Sequence, residues 1–131
     1  MADDLDDLIR AAEEVRSRAH APYSGFTVGA AVRAAGHVYT GVNVESASYP
    51  VGLCAERVAA AAAVTAGRSS IDAIAIVGGS DRPAPPCGAC RQLLSELGPD
   101  MHVVSVASNG SRKEWMLSEL LPDPFGPADL R

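Results

Sequence analysis

No run of lysine or arginine appears in the 131 residues, and acids outnumber bases sixteen to eleven, for a formal charge of −5. A polynucleotide binder displaces counterions with a basic patch. That footprint is missing, so a small, uncharged or weakly charged ligand fits better than nucleic acid. Long apolar stretches are missing too. The longest, Val58 to Val64, falls well short of the roughly 20 residues of a membrane span. The start, "MADDLDD", is acidic where secretory and mitochondrial signals are basic, so the expected location is the cytoplasm. No repeat, low-complexity tract or linker divides the chain. The nearest candidate, "GGSDRPAPP" at Gly78 to Pro86, is a stiff loop too short to separate domains. One domain over residues 1–131 is expected, and 47% hydrophobic residues suffice for its core. Cysteine is scarce and odd in number: three thiols cannot all pair within one chain, and a reducing compartment leaves them free for a metal.

What is present reads as alternating helices and strands. Leu5, Leu8, Ile9, Ala12, Val15 and Ala19 recur at helical spacing, with acids in the first turn, which predicts an amphipathic helix over 3–20. "APYSG" breaks it. Phe26 to Arg33 and His37 to Glu45 read as a hairpin about a turn at Ala34 to Gly36. In the second strand Val38, Thr40, Val42 and Val44 share one face. Asn43 and Glu45 fall on the other, an amide beside a carboxylate, away from the apolar side. Residues 54–66, "CAERVAAAAAVTA", form an alanine-rich helix stopped at Gly67. So many small side chains predict a helix packed on all sides, one of them against a second copy. Ile71 to Gly78 reads as a central strand, Gly88 to Leu97 as a helix, and Met101 to Ala107 and Arg112 to Leu117 as strands, with a short turn or helix after them. This order implies an α/β domain of two or three layers on a mixed sheet.

The chemistry sits at two helix starts. Cys54 begins one helix, and Cys87 and Cys90 of "PPCGAC" begin another. Free N–H groups and the positive dipole end lower cysteine pKa there. Three thiolates can then hold one Zn²⁺ at about 2.3 Å each. Spacing alone leaves a redox pair or inert core cysteines open. Glu56, two residues after Cys54, shifts the balance, because a carboxylate there stands beside a metal and can handle protons. A structural zinc site needs a fourth ligand, and His20, His37 and His102 lie at no ligand-like offset.

Cys54-Ala-Glu56 followed by Pro86-Cys87-Gly-Ala-Cys90 resembles the zinc nucleoside and nucleobase deaminase signature. With "PYSGFTVGAAV", "GVNVESASYP", "CAER", "PCGACRQ" and "LLPDPFGPADL", the chain resembles the small homotetrameric cytidine deaminases from Pro22 to Leu130. The resemblance implies a three-layer α/β/α sandwich on a five-stranded mixed sheet, with active sites at the interfaces of a homotetramer. It implies one Zn²⁺ per subunit on Cys54, Cys87 and Cys90, with water in the fourth position activated as the nucleophile toward C4 of the pyrimidine. Glu56 would carry protons from that water to N3 and then to the leaving amine, converting cytidine or deoxycytidine to its uracil counterpart in pyrimidine salvage.

The same resemblance implies ribose contacts from Asn43 and Glu45 and packing of Phe26 beside the nucleoside. The backbone of Ala55 would read the exocyclic amine, and neighbouring subunits would contribute Tyr49 and Phe125. Three thiolates and Zn²⁺ sum to about −1, which disfavours making hydroxide. Arg57, after the glutamate, would offset that charge; Arg91 is a second candidate, or a surface residue. Ser46 departs from the family's asparagine in "NVENASYP", as does "PVGL" at Pro50 to Leu53, which leaves substrate preference open. Rival readings are a deaminase of nucleoside antibiotics or free cytosine, and a non-catalytic zinc module.

Overall fold

Alternation along the strands sorts the chain onto two faces of one sheet. The structure, a computed structural model, describes residues 2–130, with side chains from residue 5 onward in the first helix. The expected first-turn acids Asp3 and Asp4 lie outside those side chains. Helix α1 is Ala2–Arg16, strands β1 and β2 are Val28–Ala34 and His37–Val42, and helix α2 is Ala55–Thr65. Strand β3 is Ala73–Gly78, helix α3 Gly88–Leu97, strands β4 and β5 His102–Val106 and Arg112–Met116, and helix α4 Leu117–Leu120. Short 3₁₀ turns cover Tyr49–Val51 and Pro127–Leu130.

The sheet order is β2-β1-β3-β4-β5. Only β3 and β4 run parallel, because the α3 crossover joins them, whereas tight turns suit antiparallel neighbours. On one face, Leu5, Leu8 and Ala12 of α1 bury against Ala31, Ala73, Ala75, Val77 and Val104. On the other, Ala55, Ala59, Ala60 and Ala63 of α2 and Leu94 of α3 bury against Ala30, Val32, Ile74, Ile76 and Val103. The result is the expected three layers on a five-stranded mixed sheet. No helix among the described residues is long and apolar enough to cross a membrane.

Three local expectations are corrected. The first helix stops at Arg16 rather than residue 20, because the backbone of His20 is claimed by the sheet edge. Its N–H donates to Asn43 O at 3.0 Å and its carbonyl accepts from Glu45 N at 2.8 Å. Strand β2 ends at Val42 for the same reason: Val44 bridges His20 on one side and Leu53 on the other. The faces of β2 are also reversed. Gly41 is buried and Tyr39 packs against the α2-side core, while Val38 is 46% exposed. A Cβ on Gly41 would stand 2.4 Å from Ala59 N and 2.8 Å from Ala55 O. The helix-covered face must therefore be the one carrying this glycine, and by parity Asn43 continues it. Within one chain, α2 keeps one side open. Its alanines cover the sheet, but Ala61 and Val64 are exposed.

Candidate active site and metal centre

Cys54 and Cys87 each occupy the N-cap position of a helix, α2 and α3 respectively, with extended backbone angles. Cys90 follows in the first turn of α3, fully buried. The Sγ atoms of Cys54 and Cys87 are 3.9 Å apart, and those of Cys87 and Cys90 are 3.5 Å apart. All three lie within 4.8 Å of one another. Sulfurs at about 2.3 Å from a tetrahedral zinc are separated by roughly 3.8 Å, so the donor set fits that ion. Among the described residues these three form the group able to hold a metal, and no histidine joins them.

The electrostatics agree with a thiolate site. Hydrogen bonding from the Cys90 thiol, with help from Cys87 and Arg57, pushes Cys54 down to about 5 despite its partial burial. The bond to Cys54 and burial push Cys90 upward. Arg57 donates from Nη2 to Gly52 O at 3.1 Å. Its buried Nε is the side-chain donor left without a partner among the described residues. An orphaned cationic donor beside three sulfurs is an arrangement that a charged metal–thiolate cluster satisfies. Arg91 is engaged elsewhere. It donates from Nε to Pro86 O at 2.8 Å and from Nη1 to Leu120 O at 2.9 Å, so two of its donors are committed to backbone carbonyls.

Beside the cluster opens a cavity of about 900 Å³, lined by Cys54, Ala55, Glu56, Arg57 and Cys87, and by Phe26, Asn43, Glu45 and Tyr49. Glu56 is 7% exposed. Burial, followed by the charge on Cys54, raises its pKa above the ordinary carboxylate value. It is thus a carboxyl able to hold a proton next to the sulfurs. The Phe26 ring lies against Gly78, the last residue of β3, and Gly79, its Cζ 3.6 Å from where a Gly78 Cβ would stand.

Asn43 and Glu45 line the cavity but are also committed to the backbone around them. Asn43 Oδ1 accepts from Val28 N at 2.8 Å, and its Nδ2 donates to Phe26 O at 2.8 Å. Glu45 accepts from the N–H groups of Tyr23 and Ser24, both at 3.1 Å, and from the Ser24 hydroxyl. The Ser24 bonds hold its carboxylate below the usual range. Phe125 stands apart: it is 58% exposed and does not line the cavity of its own chain.

Two residues escaped the sequence reading. Ser24 links Glu45 to Phe26, since its oxygen also accepts from Phe26 N at 2.9 Å. In sequence it looked like part of a helix breaker. Ser105, 1% exposed, lies in the cavity wall. Its signal was available: it interrupts the valines of "HVVSV" on the face shared with Val103.

A buried carboxyl beside three clustered thiols at two helix N-termini, in a three-layer α/β/α fold, defines a zinc-dependent hydrolase of the deaminase class. The comparisons sharpen this. Residues 2–106 match the family model of the cytidine and deoxycytidylate deaminase zinc-binding region. The cytidine deaminase of Halalkalibacterium halodurans is 45% identical over 129 residues, covering 97% of this chain and 98% of that one. That of Sporosarcina psychrophila is 40% identical, covering 97% and 95%. The crystal structure of cytidine deaminase from Burkholderia pseudomallei superposes with a TM-score of 0.88 at 46% identity, covering 92% of this chain and 98% of that one. The chain belongs to the cytidine and deoxycytidylate deaminase family, whose zinc-binding region it matches, and its cofactor is Zn²⁺; Cys54, Cys87 and Cys90 are the group placed to hold a metal ion.

Proposed function

We propose that the protein hydrolyses cytidine and deoxycytidine to uridine and deoxyuridine with release of ammonia, within pyrimidine salvage. The observation that carries this reading is Glu56: a buried carboxyl with a raised pKa, facing the cavity beside the three thiols. Held by Cys54, Cys87 and Cys90, Zn²⁺ would supply Lewis-acid activation of a water. Glu56 would take one proton from the attacking water and deliver it to N3 of the pyrimidine as the oxygen bonds to C4. It then carries the second water proton to the exocyclic amine. The C4–N4 bond breaks, ammonia leaves, C4 becomes a carbonyl, and the first proton stays on N3 of the product. One carboxyl performs both transfers because it can reach both groups and titrates above an ordinary glutamate.

The remaining residues bind and orient. Phe26 packs beside the nucleoside. Asn43 and Glu45 keep a free lone pair or N–H after their backbone bonds and meet the ribose hydroxyl. The Ala55 carbonyl reads the amine, and Arg57 offsets the negative charge of the thiolates. The active form is a homotetramer with sites at the interfaces. The exposed Ala61 and Val64 face of α2, the 78% exposure of Tyr49, and Phe125 outside its own cavity support this. Phe125 then completes the site of a neighbouring copy, and Tyr49, which lines the cavity of its own chain while largely exposed, reaches that copy as well. A reducing cytoplasm suits the three thiols. The test is loss of the amine from cytidine, deoxycytidine and cytosine with zinc-loaded protein. Turnover of both nucleosides is expected, and inactivity on both would overturn the reading.

A further inference from the structure

Two adjacent residues of α3 grip the end of α4 and the chain that follows it. Arg91 joins Pro86 O, just before the ligand Cys87, to Leu120 O at the end of α4. Gln92 Nε2 donates to Phe125 O at 2.7 Å and also to Glu96 Oε2 at 3.0 Å. Between α4 and the 3₁₀ turn at Pro127–Leu130, residues 121–126 form no helix or strand. Their other hydrogen bonds are local: Leu121 N to Leu117 O, Gly126 N to Asp129 Oδ2 and Asp129 N to Gly126 O. Among the described residues, Gln92 therefore supplies the hydrogen bond that fixes residues 121–126 to the body of the molecule. It does so at the residue whose ring is exposed. Helix α3 thus starts at a zinc ligand and one turn later sets the place of an aromatic that its own cavity does not use.

We infer that Gln92 is a positioning residue: by holding the Phe125 carbonyl it aims the Phe125 ring, and so governs nucleoside binding in the cavity of a neighbouring copy. The inference rests on the role proposed above for Phe125. Removing one hydrogen bond from a segment with few others costs a factor of about five in the population of the aimed state.

The test uses zinc-loaded protein in its native assembly and compares Gln92→Met, Gln92→Lys, Phe125→Ala and the double variant Gln92→Met/Phe125→Ala. Methionine keeps the length of the side chain without the donor; lysine restores a donor that also pairs with Glu96. Gln92→Met is expected to raise KM for cytidine about five-fold, with kcat, zinc content and assembly mass unchanged. Gln92→Lys is expected to return KM toward wild type, and Gln92→Met to add nothing in the Phe125→Ala background. An effect in Phe125→Ala with none in Gln92→Met overturns the clamp alone. An unchanged KM in Phe125→Ala overturns the placement of Phe125 and, with it, the clamp. A Gln92→Met effect that persists in full without the Phe125 ring, or that comes with loss of zinc or assembly, shows a different role for Gln92 and overturns the inference.

Discussion

Arg57 lies against Cys54 with Nη2 donating to Gly52 O and its buried Nε unpartnered among the described residues. The arrangement places a permanent cation beside the thiols: Cys54 is pushed down, first by the Cys90 thiol and also by Arg57, and Arg57, despite burial, is pushed up by Cys54. Arg57→Ala is expected to lower kcat about 10- to 100-fold, the worth of a charge-assisted hydrogen bond. Zinc content should fall far less. Metal analysis beside steady-state turnover separates the two, and unchanged turnover removes the charge-offset role.

Glu56→Gln retains shape but cannot exchange a proton. Loss of general acid–base assistance corresponds to about 10²- to 10⁴-fold or more in kcat, with the zinc stoichiometry of wild type. Equal activity of the variant would sink the proton-shuttle mechanism.

Ser24 and Glu45 give a prediction in pH. The Ser24 bonds hold the Glu45 carboxyl below its ordinary value, so the stability they confer is fully present above the unfolded carboxylate pKa. It disappears as pH falls through the depressed folded value. Ser24→Ala should raise the Glu45 pKa, measured by carboxyl NMR titration. Its stability deficit against wild type should be present at neutral pH and vanish in acid. Because Ser24 also holds Phe26 N, KM for cytidine is expected to rise. A deficit that is flat with pH would assign the effect to something other than this bond.

Gly41→Ala tests how α2 is seated. The added methyl would meet backbone of α2 at 2.4 and 2.8 Å, which neither side can yield by a rotamer change. Overpacking of this kind costs about 1–3 kcal/mol. The shift of α2 also moves Cys54, so faster zinc release to a chelator should accompany the fall in Tm. A stable variant with normal zinc retention would show that α2 is not fixed at this contact.

Local signals located most of the site. Helix α3 was legible end to end, because the Cys-x-x-Cys pair opens it and Gly98 closes it. The thiol cluster and Glu56 were legible because metal ligation and proton transfer demand particular residue types at short spacing. Long-range competition was not legible. The end of α1 depends on His20 pairing with Asn43 and Glu45, more than twenty residues away in sequence. The faces of β2 depend on how closely α2 approaches Gly41. Valines alternating along an edge strand looked like a core face and are an outer one. The destination of Arg91 was open for the same reason, since its carbonyl partner at Leu120 is brought near only by the last helix.

Cys54 and Cys87 hold positions usually given to serine or aspartate, and neither makes a side-chain cap to its helix. The two helices therefore begin on residues whose best satisfied state is as metal ligands. Demetallation would leave two first turns frayed at once, beside the loops 46–53 and 79–86 that lead into them. Protease nicking in those loops should then report the age and history of a preparation, tracking metal loss before any global unfolding is seen.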